Sequence, residues 1–189
     1  MVVFEEEPLI SFSVITLRPN HMKHIIACIC FICLTSLLYA QDNSQVIILD
    51  NYQRITSIKQ LLSTFKGQAV FIDMWATWCE PCREEFKYNA PLNSYLKTKN
   101  VAVLYVSVDK PEQDSLWRKE IVNLNLKGKH VRASQALQNE LSTLIWGAPG
   151  GFSIPHYLLF DRHGKLLLKD VTAPSNLTEL KEQIDSTLK

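Results

Sequence analysis

Apolar residues along the chain occur either as continuous runs, typical of buried strands, or at helical spacing. Residues 69–76 and 101–108 are almost unbroken apolar runs, which favours strands covered on both faces of a largely parallel sheet. A shorter run at 45–49 predicts a third strand. Apolar residues at 58, 61, 62 and 65, with Ser57 as N-cap, predict a helix over 57–65. This first half therefore predicts alternating strands and helices.

The second half predicts further helices and then a change of pattern. Helices are predicted over 80–97, 111–123 and 134–145, and over a terminal segment that starts after Asn176. Pro91 should kink the first of these, because it lacks the N–H that a helix interior needs. An antiparallel hairpin is predicted over 155–161 and 165–169. Residues 127–132, which are mostly polar, are interpreted as a solvated turn.

The segment 22–40 has the composition of a secretory signal, with a basic start, an apolar stretch and a small residue, Ala40, before polar residues. Cleavage after Ala40 is predicted, and the alternative is an uncleaved membrane anchor. Export signals normally start at the chain terminus, so we expect translation to begin at Met22 and residues 1–21 to be a gene-model overextension. The predicted mature domain is 41–189, in the periplasm or otherwise outside the cytoplasm.

Composition and charge limit the classes of protein to which the chain can belong. With 47% hydrophobic and 21% charged residues, a chain of 189 residues fits one globular domain plus a short extension. The formal net charge is only +1 at pH 7. Nucleic acid is therefore not an expected partner, since a nucleic-acid-binding domain usually carries a strong basic surface.

The five cysteines divide into two groups. Cys28, Cys30 and Cys33 lie in the predicted signal, so the mature chain keeps only Cys79 and Cys82. Two cysteines three residues apart are compatible with a metal half-site, a structural bridge or a redox pair. Zinc normally needs a second pair, and so short a loop gains little stability from being closed. We therefore predict a redox pair and no metal.

The residues around the pair suggest how it would react. Cys79 starts a predicted helix, where unpaired N–H groups favour a thiolate, so it is the candidate nucleophile. Glu80, next to it, should disfavour the thiolate and make the site more reducing. Asp73 in the buried strand is expected to have a raised pKa suited to proton transfer. The alternative is that Asp73 is partly solvated or paired with a basic residue such as Lys97.

The segment Trp75-Ala-Thr-Trp-Cys-Glu-Pro-Cys-Arg-Glu-Glu-Phe86, with the export signal and the segment Phe160-Asp-Arg-His-Gly-Lys165, resembles the TlpA/ResA group of thioredoxin-like proteins. The resemblance implies an α/β thioredoxin fold, in which helices flank a central mixed sheet and an insertion separates the third strand from the C-terminal hairpin. Members of the group are exported thiol–disulfide oxidoreductases, usually reductants.

The resemblance also implies a role for each matching residue. Cys79 would attack the substrate disulfide, Cys82 would resolve the mixed disulfide, and Asp73 would assist proton transfer. Pro155 matches a cis-proline that faces the cysteines. The implied substrate-binding residues are Trp78, Pro81, Ile154 and Pro155, and the implied catalytic residues are Cys79, Cys82, Asp73 and Glu80.

These observations predict a monomeric protein-disulfide reductant that acts without a bound cofactor, either in cytochrome c maturation or in general thiol reduction. Its expected partners are protein disulfides and an upstream membrane reductant, and it would touch the membrane only through an uncleaved signal. The alternative function is a non-catalytic metallochaperone or client-binding adaptor that uses the same thiols.

Overall fold

The computed structural model describes residues 45–65 and 67–188. The predicted overextension at 1–21, the predicted signal at 22–40 and its three cysteines lie outside the described residues. The predicted signal, its cleavage and the start at Met22 therefore stay predictions.

The sheet has six strands in the order β1-β4-β3-β2-β5-β6. Strands β1 to β4 are parallel wherever they pair with one another. Strand β5 pairs antiparallel with β2, and β6 pairs antiparallel with β5. The strands are β1 (Val46–Ile48), β2 (Ala69–Trp75), β3 (Val101–Ser107), β4 (Gly128–Arg132), β5 (His156–Phe160) and β6 (Leu166–Leu168). Every residue of β2 is buried, as its continuous apolar run predicts for a central strand.

Within residues 45–65 and 67–188, six α-helices flank this sheet. They are α1 (Ile58–Ser63), α2 (Glu80–Glu85), α3 (Asn89–Thr98), α4 (Asp114–Asn123), α5 (Gln135–Trp146) and α6 (Leu177–Thr187). Ser57 caps α1 as predicted, accepting a hydrogen bond from the Gln60 N–H at 3.2 Å. The hairpin, the early helix and the terminal helix are likewise confirmed.

The two faces of the sheet build two apolar cores. Helices α1, α4 and α5 cover the face that presents Ile72 and Leu104. Helices α3 and α6 cover the other face, where Phe71 and Leu159 lie. From Ala69 to Ile72, successive residues of β2 enter opposite cores because successive side chains of a strand point to opposite faces. The fold is thus an α/β thioredoxin-like fold with a mixed central sheet.

Two predictions need correction. Residues 128–132 are not a solvated turn but strand β4, because its polar side chains find partners inside the fold: His130 stacks on Tyr105 at 4.8 Å and Arg132 binds Asp114 at 2.9 Å. The helix predicted over 80–97 is two helices, separated by a 3₁₀ turn at Phe86–Tyr88. Pro91 then lies in the first turn of α3, where a missing N–H is tolerated.

The insertion lies where it was predicted. Between β3 and the hairpin, the chain adds α4, β4 and α5, and β4 inserts between β1 and β3.

Candidate active site

The two cysteines lie just beyond the carboxyl end of β2 and form a disulfide with their Cα atoms 5.4 Å apart. Cys79 is the N-cap of α2, and its Sγ accepts a hydrogen bond from the Cys82 N–H at 3.2 Å. Cys79 is 4% exposed and Cys82 is fully buried. Cys79 is therefore the more accessible of the two residues, as a nucleophile that meets a substrate must be.

The residues beside Cys79 form an exposed rim. Trp78 is 60% exposed, which is unusual for a large aromatic side chain, and Glu80 and Pro81 are exposed in the first turn of α2. An aromatic side chain with one free face next to a reactive sulfur can pack on an incoming peptide. The geometry thus leaves Trp78 available for the substrate contact that the resemblance implied.

The Ile154–Pro155 peptide bond is cis and immediately precedes β5. The antiparallel pairing of β2 with β5 ends at Met74 opposite His156. Pro155 therefore lies beside the end of β2 from which the cysteine turn departs. Ile154 and Pro155 are both partly exposed, so their surface is open next to the disulfide.

Asp73 lies inside the sheet, between Tyr105 on β3 and Tyr157 on β5. Its side chain is 1% exposed, and within the described residues its Oδ1 has no hydrogen-bond partner. Burial, assisted by the negative charge of Glu85, raises the pKa of Asp73 to about 8. The carboxyl group is thus neither solvated nor held by Lys97. It can release and recover a proton near neutral pH.

Three polar residues that were not predicted also belong to the site. The buried carboxylate of Asp109 accepts hydrogen bonds from the N–H and hydroxyl of Thr77, and the Arg83 guanidinium donates to the Thr77 carbonyl. The feature of the sequence that could have identified Asp109 is its position directly after the apolar run at 101–108. It was missed because Asp109 and Thr77 are far apart in sequence.

Within the described segments 45–65 and 67–188, no group of three or more His, Cys, Asp or Glu side chains is arranged to hold a metal ion. In the same segments, no helix has the length and apolar character needed to cross a bilayer.

The comparisons with known proteins are consistent with this geometry. The sequence model of the Redoxin family matches residues 55–184. The thiol-disulfide oxidoreductase ResA of Bacillus subtilis (strain 168) is 45% identical over 47 residues, which cover 25% of this chain and 26% of that protein. ResA of Geobacillus thermodenitrificans (strain NG80-2) is 27% identical over 125 residues, covering 66% of each chain. The chain thus spans less than two thirds of the length of these relatives.

Solved structures show the same architecture. A thiol:disulfide interchange protein from Bacteroides sp. superimposes with a TM-score of 0.50 at 26% identity, covering 67% of this chain and 77% of that one. The thioredoxin domain of a thiol-disulfide oxidoreductase from Bacteroides vulgatus gives a TM-score of 0.52 at 24% identity, covering 68% and 84%. The second match supports the fold alone.

Proposed function

Since the chain belongs to the Redoxin family and is of the TlpA/ResA type, we propose that it is a protein thiol–disulfide oxidoreductase that cycles Cys79 and Cys82 between dithiol and disulfide. The observation that carries the proposal is the disulfide itself, placed at a helix N-terminus beside the cis Ile154–Pro155 bond. Such a pair can exchange electrons with another disulfide without any bound cofactor.

The reaction proceeds by two thiol–disulfide exchanges. The Cys79 thiolate attacks one sulfur of the substrate disulfide, forms a mixed disulfide and expels the other substrate sulfur as a thiolate. Cys82, one helical turn away, then attacks Cys79 Sγ and releases the second substrate sulfur. Two electrons pass to the substrate, and the Cys79–Cys82 disulfide remains.

Asp73 serves the second step. Cys82 is fully buried and must lose its proton before it attacks. A carboxyl group with a pKa of about 8 in the preceding strand is ionised in a minority of molecules at neutral pH, and in that ionised form it can accept the proton. Its burial keeps the proton from exchanging freely with water.

The proposed role is that of a reductant outside the cytoplasm. Glu80 places an exposed carboxylate between the two sulfurs in the sequence, which disfavours a thiolate and favours electron donation. The signal-like segment 22–40 supports export, with protein disulfides as substrates and a membrane reductant to recharge the site. We propose that the exported domain acts as a monomer.

Insulin reduction with dithiothreitol as donor tests the activity. Wild type should accelerate precipitation of the insulin B chain, and Cys79→Ala should not, because the nucleophile is gone. A protein that binds insulin without accelerating its reduction would contradict the proposal and indicate the adaptor function.

Cys82→Ala identifies the substrate. Without the resolving thiol the mixed disulfide on Cys79 persists, so partners remain covalently attached and can be named by mass spectrometry after non-reducing electrophoresis. Cys79→Ala is the matched control. Recovery of the same proteins on both variants would contradict attack by Cys79.

A further inference from the structure

A buried carboxylate holds the turn that carries Cys79. Asp109 follows β3 and is fully buried. The Thr77 N–H lies 3.1 Å from its Oδ1 and 3.0 Å from its Oδ2, the Thr77 hydroxyl donates to Oδ1 at 2.7 Å, and the Ser107 hydroxyl donates to Oδ2 at 2.7 Å. A buried charge is costly unless hydrogen bonds compensate for it, and here Thr77 and Ser107 supply those hydrogen bonds.

Thr77 is the residue on which the geometry of the turn depends. The Cys79 N–H donates to the Ala76 carbonyl at 3.0 Å and closes the turn around Thr77. Asp109 holds the N–H of Thr77, and the Arg83 guanidinium holds its carbonyl at 2.9 Å. Both backbone groups of Thr77 are therefore fixed by charged side chains from different parts of the fold.

The second of these charged groups is itself anchored. Arg83 lies on α2, after the cysteines, and forms an ion pair with Glu120 on α4 at 2.8 Å. The turn is thus connected to β3 on one side and to α4 on the other. A surface loop would ordinarily be more mobile than the elements it joins, and here its first half is fixed to the sheet.

We propose that Asp109 is a positioning residue that holds the Thr77 turn and thereby favours the disulfide form of Cys79 and Cys82. This inference rests on the proposed function. In the dithiol form, a fixed turn keeps the two cysteines near the 5.4 Å Cα separation of the disulfide. Little backbone freedom is then lost on ring closure, which raises the effective concentration of one sulfur at the other.

Loss of the Asp109 contacts should shift the equilibrium toward the dithiol form. Release of the turn gives the dithiol form freedom that the disulfide form cannot have, so the equilibrium moves toward the dithiol. Removal of the Asp109 charge acts in the same direction, because a nearby thiolate is then less disfavoured. Thr77→Val separates release of the turn from loss of the charge, since it removes one hydrogen bond to the Asp109 carboxylate and leaves the charge in place.

The equilibrium with glutathione tests the proposal. Two protein thiols and one glutathione disulfide give one protein disulfide and two glutathione thiols, so the constant reports the stability of the Cys79–Cys82 bond. Asp109→Asn should lower this constant about fivefold, and Thr77→Val about twofold, the size expected for loss of part of a charge-assisted hydrogen-bond set. Asp161→Asn is the matched control, because Asp161 also binds two backbone N–H groups of a turn, but in the distant hairpin.

The possible results distinguish failure of the Asp109 proposal from failure of the proposed function. A merely structural role for Asp109 would destabilise the dithiol and disulfide forms alike and leave the constant unchanged, and that result overturns the proposal. If Asp109→Asn does not fold, Thr77→Val decides alone, and an unchanged constant in that variant is equally decisive. Failure of wild type to reduce insulin would instead reject the proposed function, because the glutathione equilibrium does not depend on any protein substrate.

Discussion

The carboxyl group of Asp73 and the phenol of Tyr157 occupy directly paired positions on β2 and β5, and neither Asp73 Oδ1 nor Tyr157 Oη has a hydrogen-bond partner within the described residues. Two unsatisfied polar groups side by side in a buried sheet are costly. Burial also raises the pKa of Tyr157, and the negative charge of Asp73 adds to that rise. An uncharged Asp73 is therefore favoured while the protein is folded.

The stability of the protein should fall as pH rises because of Asp73. The folded state keeps the Asp73 proton up to pH about 8, whereas the unfolded chain loses it near the ordinary aspartate pKa of 3.8. The folded state thus binds more protons between these values, and its stability declines across that window. In Asp73→Asn this decline should be absent, so that the variant is more stable than wild type at pH 8 by a few kcal/mol.

Urea unfolding of the disulfide form at pH 5 and pH 8 measures this difference. Asp170→Asn is the control, because Asp170 is an exposed carboxylate and should leave the pH dependence of wild type intact. If wild type and Asp73→Asn lose the same stability between pH 5 and pH 8, the result contradicts a raised pKa of Asp73.

Replacement of Glu80 should make the protein more oxidising. Glu80→His removes a negative charge from the first turn of α2 and can introduce a positive one, which favours the Cys79 thiolate and hence the dithiol form. The expected results are faster alkylation of Cys79 at pH 6 and a less negative redox potential. Glu179→His, the same change in the first turn of α6, should alter neither quantity. An unchanged potential in Glu80→His would refute this role.

Asp114 should stabilise the fold at neutral pH but not in acid. Burial raises its pKa, but hydrogen bonds from Tyr52, Arg132 and Arg118 outweigh burial and lower the pKa to about 2. The stabilisation is therefore complete above pH about 4 and is lost as pH falls through about 2. Asp114→Asn should cost ~1–2 kcal/mol at pH 7, and the cost should shrink on acidification.

Urea unfolding of Asp114→Asn at pH 7 and pH 3 tests this dependence. The matched control is Asp185→Asn, because Asp185 also accepts hydrogen bonds from a tyrosine and pairs with a basic residue, but at the surface. Its effect should be smaller, since solvent screens an exposed pair. A penalty for Asp114→Asn that is the same at both pH values would show that the group acts through packing alone.

Local sequence patterns were sufficient to predict the strands and helices whose buried positions are apolar. The runs at 69–76 and 101–108 are the central strands β2 and β3, and helical spacing at 58–65 is α1. Strand β4 could not be recognised in this way. Its His130 and Arg132 are polar, and they are buried where His130 stacks on Tyr105 and Arg132 binds Asp114.

By itself, the sequence determined the redox pair, its candidate nucleophile and the buried acid, because Cys79, Cys82 and Asp73 lie within ten residues of one another on one strand and the following helix. Only the tertiary structure decided which contacts fix the turn that carries Cys79. Asp109 reaches Thr77 because β2 and β3 are adjacent and parallel, so their carboxyl ends meet at one edge of the sheet. A contact of that kind depends on strand order and register, which local sequence patterns do not specify.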